Sequence, residues 1–384
     1  MLKNIKIALV HDFLNQYGGA ERVLEALHEM FPEAPIFTLL YDKEKMRGKF
    51  EDADVRVSFL RKFPKFLQKR HRWLLPFMPT APETFNLREY DLVISSSSAF
   101  AKGIVVKPKT LHICYCHSPM RYVWDWNEKY LVEQGLRKSR KLFGRMLLNY
   151  VRLWDQVASH RVDHFIANSK TTQARIKKYY RRDSVVVCPP VEVGSAEAEQ
   201  HSLEAGDSVS PEKYFLIVSR LAPYKKIEIA IEAMNKLNLP LVIVGEGSDK
   251  YLKHLKKIAG PKTKFAGWKS DEELKKCYKQ ARAFLFPGED DFGITPVEAM
   301  AEGTPVLALR KGGATETVVE GETGEFFNDP TIESLADGAR RLMENEKGYD
   351  REKIKHQAGK FSKDIFVENM KKEILRIIEI HGEE

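Results

Sequence analysis

The sequence alternates short apolar runs with segments of helical periodicity, and it does so twice along 384 residues. In the first half the apolar runs, which are typical of buried strands, lie at 5–10, 92–94, 103–106, 111–115, 164–167 and 185–188, with a helical pattern at 21–30. They resume at 214–218, 241–244, 263–265, 283–286 and 305–308, with helical patterns at 227–237, 271–280 and 315–320. This alternation predicts parallel sheets covered by helices on both faces.

The chain is too long for one ordinary core, so we expect two doubly wound α/β domains. A polar, acidic stretch at 194–211 follows Pro189 and Pro190 and predicts an exposed loop. We place an N-terminal Rossmann-like domain at 1–188, a second at 189–365, and a C-terminal helix at 366–384 that could pack on either domain, including back on the first.

Composition points to a soluble globular protein, with 43% apolar and 30% charged residues. Four cysteines form no disulfide framework, which favours a reducing compartment, and the spacing of Cys114, Cys116 and His117 does not fit common zinc sites. The sequence shows neither a signal-peptide core nor an apolar run of membrane-spanning length. We therefore expect a cytoplasmic protein, at most peripheral on the inner face of the cell membrane.

The charge is unevenly divided along the chain. Residues 1–187 carry 33 Lys and Arg against 19 Asp and Glu, a net of +14, whereas the remainder has a net of −6. Basic residues alternate with Phe, Leu and Trp at 61–73 and 137–148, which suits an anionic membrane or a lipid-diphosphate acceptor. A solvated basic face is the alternative. No nucleic-acid motif is present, and the candidate acceptor or membrane contacts are Arg61, Lys62, Lys65, Lys69, Arg70, Arg72 and Arg121.

An acidic loop follows the apolar run at 283–286. The sequence PGEDDFGITPVEAMA at 287–301 places Asp290 and Asp291 before a Phe-Gly turn, and Glu298 in the helix that Pro296 opens. Carboxylates accept hydrogen bonds from sugar hydroxyls, and first-turn amides donate to them. The alternatives are a divalent-cation site and a plain acidic surface loop.

Other candidates also follow predicted strands, where ligands of doubly wound sheets bind. Gly18 and Gly19 allow a phosphate to approach a helix start, although a simple turn is the alternative. Arg220 and Lys225 can hold one anion, unless their loop is merely solvated. His117 follows the run at 111–115 and has either a site role or a structural one. The loops at 245–247 and 312–314 either let a ligand approach the backbone closely or are plain turns.

Together these motifs resemble the GT-B-fold retaining glycosyltransferases, the group that includes glycogen synthases and bacterial mannosyltransferases. The closest likeness is to the mannosyltransferases of O-antigen and other surface polysaccharide assembly. The likeness covers both domains and rests on VHDF at 10–13, GGAE at 18–21, CYCHSPMRY at 114–122, Arg220 with Lys225, DFG at 291–293 and PVEAM at 296–300. It implies two Rossmann-like domains that face each other across a cleft.

The resemblance also implies roles for individual residues. Arg220 and Lys225 would hold the donor diphosphate and Glu298 its ribose, while Asp290 would hold the transferred sugar and His117 would line its reacting side. The remaining donor contacts would come from Gly18, Gly19, Gly245, Gly247, Asp291, Phe292, Gly293 and Ile294. The family usually has two Glu with seven residues between them, whereas Asp290 stands at the first position here and Glu289 is an alternative.

We thus expect a metal-independent hexosyltransferase without a cofactor, with His117, Asp290, Arg220 and Lys225 as catalytic residues. GDP-mannose is the expected donor, and a glycan or lipid-linked glycan is the expected acceptor. Fixed cations beside the departing diphosphate would stabilise its charge. A nucleotide-sugar epimerase or phosphorylase and a non-catalytic module that binds anionic membranes or polyanions are the alternatives.

Overall fold

The computed structural model describes residues 5–69, 71–128, 131, 138–193 and 213–383. Arg70 and the predicted loop at 194–211 lie outside the described residues. The chain divides into two compact units, the first formed by Met1–Pro190 together with Phe366–Glu384 and the second by Val191–Ile365. The boundary predicted from sequence lies at 188/189, and the helix predicted at the C-terminus contributes to the first unit.

The first unit is built on a parallel sheet of seven strands. They are β1 (Ile7–Leu14), β2 (Ile36–Tyr41), β3 (Val55–Val57), β4 (Leu92–Ser97), β5 (Leu111–Cys116), β6 (His164–Ala167) and β7 (Ser184–Val186). Their order across the sheet is β3-β2-β1-β4-β5-β6-β7. The chain therefore builds outward on one side of β1 and then crosses to the other side, so that β1 and β4 flank the point where the direction reverses.

Helices cover this sheet. They are α1 (Gly19–Met30), α2 (Lys43–Met46), α3 (Lys65–Lys69), α4 (Thr80–Glu83), α5 (Lys138–Ser159) and α6 (Lys170–Tyr179). One apolar core lies between α1, the strands and the C-terminal helix, whose Phe366 and Met370 are buried in it. Val23, Leu24 and Leu27 fill this core from α1 because residues three and four apart share a helix face.

The second unit repeats the plan with six parallel strands. They are β8 (Phe215–Val218), β9 (Leu241–Val244), β10 (Thr263–Gly267), β11 (Ala283–Phe286), β12 (Val306–Leu309) and β13 (Gly324–Phe327). Their order is β10-β9-β8-β11-β12-β13, with the reversal between β8 and β11. The prediction of two doubly wound parallel sheets is confirmed.

The helices of the second unit also agree with the sequence pattern where that pattern was strong. They are α7 (Ile227–Leu237), α8 (Asp249–Ile258), α9 (Asp271–Gln280), α10 (Ile294–Ala301), α11 (Ala314–Thr317), α12 (Ile332–Glu344), α13 (Arg351–Gly359) and α14 (Lys363–Glu383), which continues into the first unit. Ser270 caps α9 through the amide of Glu273, whose carboxylate returns to the amide of Ser270.

One predicted strand, 103–106, is wrong. Ala101–Gly103 forms a 3-10 turn, and β4 pairs directly with β5, so the sheet has no position for a strand between them. The preceding backbone instead wraps around the carboxylate of Asp12, which accepts the N–H groups of residues 98–101 at 2.6–2.8 Å. The β-branched residues Ile104 and Val105 lie in a loop, where Ile104 is buried and Val105 is exposed.

Candidate functional site

The reversal point of the second sheet brings together the two loops that the sequence singled out. The loop after β8 carries Arg220 and Lys225, and the loop after β11 carries the acidic residues. Strands β8 and β11 are adjacent and parallel, so both loops leave the same edge of the sheet. Ligands of open α/β sheets bind at this type of position, outside the carboxyl ends of the strands.

Lys225 and Asp290 form an ion pair that joins these loops. Their side chains remain 16% and 24% exposed. The family likeness assigns Lys225 to the diphosphate and Asp290 to the sugar. Asp290 is the one acceptor of the Lys225 ammonium within the described part of the chain. Because an ammonium has three donors, Lys225 can bind an anion while Asp290 orients it.

Arg220 lies in the open part of the same loop. Its guanidinium donates to the hydroxyl of Tyr224 at 2.7 Å and lies 5.6 Å from the centre of that ring. The ammonium of Lys225 lies 5.2 Å from the same ring. Tyr224 thus supports both cations, and it is a residue that the sequence reasoning missed. The arrangement concentrates positive charge where a diphosphate would fit.

Glycines after β9 hold the Arg220 loop in place. Gly245 has a φ of +134°, and a Cβ atom there would lie 1.9 Å from the carbonyl oxygen of Ser219. A Cβ on Gly247 would lie 2.2 Å from the carbonyl oxygen of Leu221. The structure therefore gives both glycines a packing role, and their predicted contact with the donor stays a prediction.

The acidic loop is held in a similar way by the loop after β12. The amide of Gly313 donates to the carbonyl of Asp290 at 3.0 Å. Phe292 is buried and packs edge-on against Phe361, with 5.6 Å between ring centres. Asp291 is half-buried beside it. The loop is thus built to a fixed shape.

The helix that follows begins as the sequence predicted. Gly293 is its N-cap residue, with a φ of +84°, and Ile294 is its first helical residue. Amides at the start of a helix lack acceptors within the helix, so those near Ile294 can donate to a ligand. The predicted role of Gly293 and Ile294 in donor binding rests on this geometry and stays a prediction.

Glu298 lies further along α10, in a buried position. It is 9% exposed, and the hydroxyl of Tyr278 donates to its Oε2 at 2.8 Å. Tyr278 comes from α9, is 2% exposed, and was missed because a tyrosine on an amphipathic helix carries no sequence signal for a site. Tyr278 fixes the direction of the carboxylate that the family likeness assigns to ribose.

The first unit has its own polar cluster at the carboxyl end of β1. The hydroxyl of Ser96 lies 2.8 Å from Nε2 of His117 and 3.1 Å from Nδ1 of His11. Nε2 of His11 lies 3.5 Å from Oε1 of Glu21. Burial lowers the pKa of His117 to about 3, and the neighbouring His11 adds to the effect, so this imidazole is neutral at neutral pH.

The glycine turn of the first unit is attached to the same cluster. Gly18 is the N-cap of α1, and its amide donates to Oε2 of Glu21 at 2.8 Å. A phosphate would have to share or displace that bond. The amide of Gly19 has no acceptor among the described residues and is the better placed of the two donors.

Only some of the basic residues predicted to contact an acceptor or membrane lie on one exposed surface. Arg61, Lys62 and Lys65 are exposed around the turn at Phe59–Lys62 and the start of α3. Arg70 lies outside the described residues, as do the side chains of Lys69 and Arg72. Arg121 differs, because its guanidinium lies 3.8 Å from the centre of the Trp126 ring and 3.9 Å from the Asp125 carboxylate.

The described residues show neither a metal-binding cluster nor a membrane-spanning helix. They contain no group of three or more His, Cys, Asp or Glu side chains able to hold a metal ion. Within the same residues, none of the helices has the length and apolarity needed to cross a membrane.

Comparisons with known proteins agree with this architecture. Residues 200–361 match the family described as Glycosyl transferases group 1, and residues 17–194 match Glycosyltransferase Family 4. Alpha-1,3/1,6-mannosyltransferase alg2 of Schizosaccharomyces pombe is 26% identical over 377 residues, which cover 83% of this chain and 70% of that protein.

Solved structures show the same fold. Anabaena HepE in complex with UDP-glucose has a TM-score of 0.67 at 18% identity, covering 96% of this chain and 99% of that one. WaaG, a glycosyltransferase involved in lipopolysaccharide biosynthesis, has a TM-score of 0.65 at 13% identity, covering 95% and 98%. Two Rossmann-like parallel-sheet units with these likenesses define the GT-B fold. The chain is a glycosyltransferase, matched by one glycosyltransferase family over 17–194 and by another over 200–361, as the sequence motifs predicted.

Proposed function

We propose that this glycosyltransferase is a retaining mannosyltransferase that moves mannose from GDP-mannose to a glycan or lipid-linked glycan in surface polysaccharide synthesis. The observation that carries the proposal is the pair of cations, Arg220 and Lys225, at the reversal point of the second sheet. The mannosyltransferase of S. pombe supports mannose, and WaaG supports a surface polysaccharide. HepE supports a nucleotide-sugar donor, although its own is UDP-glucose.

In this proposal the second unit binds the donor. Arg220 and Lys225 neutralise the diphosphate, whose negative charge grows as the sugar–phosphate bond breaks. Asp290 holds Lys225 in position and offers its remaining oxygen to a sugar hydroxyl. Glu298, fixed by Tyr278, accepts hydrogen bonds from the ribose.

Transfer that retains the anomeric configuration needs either a protein nucleophile or a front-face displacement, and the sequence identifies no candidate carboxylate nucleophile. We therefore favour the front-face displacement, in which the acceptor hydroxyl attacks on the side from which the diphosphate leaves. The departing phosphate then takes the proton of the attacking hydroxyl, so no protein base is required. His117 is neutral and serves as a hydrogen-bonding group towards the substrate. Because the cations already stabilise the leaving group, we expect no requirement for a metal, and turnover should persist in excess EDTA.

A donor screen followed by a transfer assay tests the proposal. GDP and GDP-mannose should raise the unfolding midpoint more than the UDP and ADP counterparts, because a ligand of the folded state stabilises it. Release of GDP should then require an added glycan acceptor. Conversion of the donor without any acceptor would instead indicate an epimerase, and selective stabilisation by UDP-sugars would contradict GDP-mannose.

An exposed apolar stripe supports a peripheral position on the inner face of the cell membrane. One face of α5 is buried through Leu148, Val151 and Asp155. The opposite face exposes large apolar side chains at helical spacing, namely Leu142, Met146, Tyr150, Leu153 and Val157, with Phe143 beside them. Together with exposed Phe66 and Trp73 near the basic turn, this pattern is typical of a helix that lies in a membrane interface.

Vesicle sedimentation tests this location. The protein should pellet with vesicles that contain anionic phosphatidylglycerol and much less with neutral phosphatidylcholine vesicles. Met146→Glu should reduce pelleting, while a substitution on the exposed surface of the second unit, Lys264→Glu, should not. Equal pelleting of the two variants would remove α5 from the proposed contact.

A further inference from the structure

Four side chains from four different elements form a continuous polar chain inside the first unit. It runs from Glu21 on α1 through His11 on β1 and Ser96 on β4 to His117, just after β5. Successive polar atoms are 3.5, 3.1 and 2.8 Å apart. The first three members are buried, with exposed fractions of 4%, 2% and 0%. Buried polar groups of this kind need mutual partners.

The directions of the protons follow from the carboxylate at one end. Glu21 accepts only, so when His11 carries a single proton, that proton lies on Nε2, 3.5 Å from Oε1 of Glu21. Nδ1 of His11 is then an acceptor and takes the proton of the Ser96 hydroxyl. Because that hydroxyl has a single proton, its oxygen must accept from Nε2–H of His117. Nδ1 of His117 is left as a lone pair, and it has no hydrogen-bond partner among the described residues.

We propose that Glu21, His11 and Ser96 are positioning residues that hold His117 in its Nε2–H form, so that Nδ1 accepts a hydrogen bond from a hydroxyl of the substrate. The tautomer rests on these contacts with a single proton on His11, whereas the substrate contact rests on the proposed glycosyl transfer. Oε2 of Glu21 also holds the amide of Gly18, so one carboxylate fixes both the glycine turn and the imidazole.

The chain offers a matched control for Ser96. The neighbouring Ser95 is equally buried, and its hydroxyl lies 2.8 Å from Nε2 of His112, which is itself fully buried. Successive strand residues point to opposite faces of a sheet, so Ser95 makes the same kind of bond away from His117. Ser95→Ala and Ser96→Ala therefore each remove one buried serine–histidine hydrogen bond, and only Ser96→Ala touches the proposed chain.

The first test compares the two variants. Both variants should lower the unfolding midpoint by a similar amount. Ser96→Ala should also reduce kcat by about 10- to 100-fold with little change in the donor KM, because misplacing a group at the reacting centre lowers the rate by about this factor. Ser95→Ala should keep the activity of the native protein. Equal losses of turnover in the two variants would overturn the proposal.

The second test needs no substrate. Two-bond ¹H–¹⁵N spectra of protein labelled with ¹⁵N-histidine distinguish the two neutral tautomers, and His117→Gln identifies the His117 signals by their loss. The native protein should show His117 as Nε2–H, and Glu21→Gln, which removes the carboxylate that sets the direction, should show a mixture. A native Nδ1–H form, or an unchanged spectrum in Glu21→Gln, would overturn the proposal even if glycosyl transfer is confirmed. If the protein shows the predicted spectra but transfers no sugar, the proposed function is wrong while the proposed tautomer of His117 stands.

Discussion

Two lysine–aspartate pairs, one in each unit, show how the same residue types serve different ends. In the first unit Lys102 and Asp155 are fully buried, and Asp155 also accepts from the Trp124 indole at 2.8 Å and the Tyr180 hydroxyl at 2.9 Å. Lys102 donates a further bond to the carbonyl of Ala99 at 2.6 Å. In the second unit Lys225 and Asp290 form a single contact at a partly exposed sheet edge.

The difference lies in how much bonding capacity each pair has left. Burial alone would lower the pKa of Lys102, but the charge and hydrogen bond of Asp155 outweigh it and raise that pKa. That pair is saturated by its neighbours and organises the core around α5. The Lys225 ammonium retains donors for a ligand, at the edge where ligands of such sheets bind. We infer that unsaturated charge in an accessible position, rather than charge itself, marks the site.

The comparison predicts the largest effect on stability for Asp155→Asn. Removing one member of a buried pair leaves an uncompensated charge, so the free energy of unfolding should fall by about 3–5 kcal/mol. Urea unfolding followed by tryptophan fluorescence reports this directly, because Trp124 and Trp154 lie beside the pair. Asp290→Asn is the control and should cost about 1 kcal/mol or less. Similar losses in the two variants would break the comparison.

Lys225→Ala should show the reverse pattern. Loss of one cation at the leaving diphosphate should lower kcat by about 10²–10³-fold, while the free energy of unfolding changes by about 1 kcal/mol or less. Lys226→Ala, at the next position, is the control and should retain most activity. If the two variants lose turnover to the same extent, the loop contributes only general positive charge.

Acid should weaken the first unit selectively. Burial lowers the pKa of His112 to about 4, while an unfolded histidine titrates near 6.5. Below pH 6.5 the unfolded chain takes up a proton that the folded unit refuses, so stability falls as the pH drops from about 6.5 to 4. The loss amounts to roughly 3 kcal/mol from His112. Urea titrations at pH 7 and pH 4.5 should show it, and His112→Gln should reduce the difference; an unchanged difference would exclude His112 as its source.

Asp290→Glu should have the smallest effect. The substitution restores the family residue and keeps the negative partner of Lys225, with one added methylene in a partly exposed position. Donor KM and kcat should stay close to those of the native protein. A complete loss of activity would mean that the shorter side chain is required by the geometry of this loop, or that Glu289 fills the sugar-binding role.

Local patterns predicted much of the fold. Helical periodicity predicts α9 at its observed bounds, and the Ser270 cap and acidic first turn of the structure agree with it. Strand β13, Gly324–Phe327, was missed because it starts with a glycine and follows a turn. Periodicity predicts a strand at 103–106 because it does not reveal that the preceding backbone donates its N–H groups to Asp12.

The candidate site was predictable only in part, for a related reason. Arg220, Lys225 and Glu298 follow strands and stand in recognisable motifs, so they could be named. Their partners could not, because the contacts join distant positions: Lys225 meets Asp290 65 residues away, and His11 meets Ser96 85 residues away. Such pairings depend on sheet order, which the sequence pattern left undetermined.

The most direct test of the account compares binding of GDP and guanosine by calorimetry in the native protein and in Lys225→Ala. The two ligands differ only in the diphosphate, so the ratio of their affinities isolates its contribution. The native protein should bind GDP at least about 10-fold more tightly than guanosine, and the variant should lose most of that ratio while its affinity for guanosine is unchanged. An equal ratio in both proteins would contradict the assignment of Lys225 to the donor diphosphate.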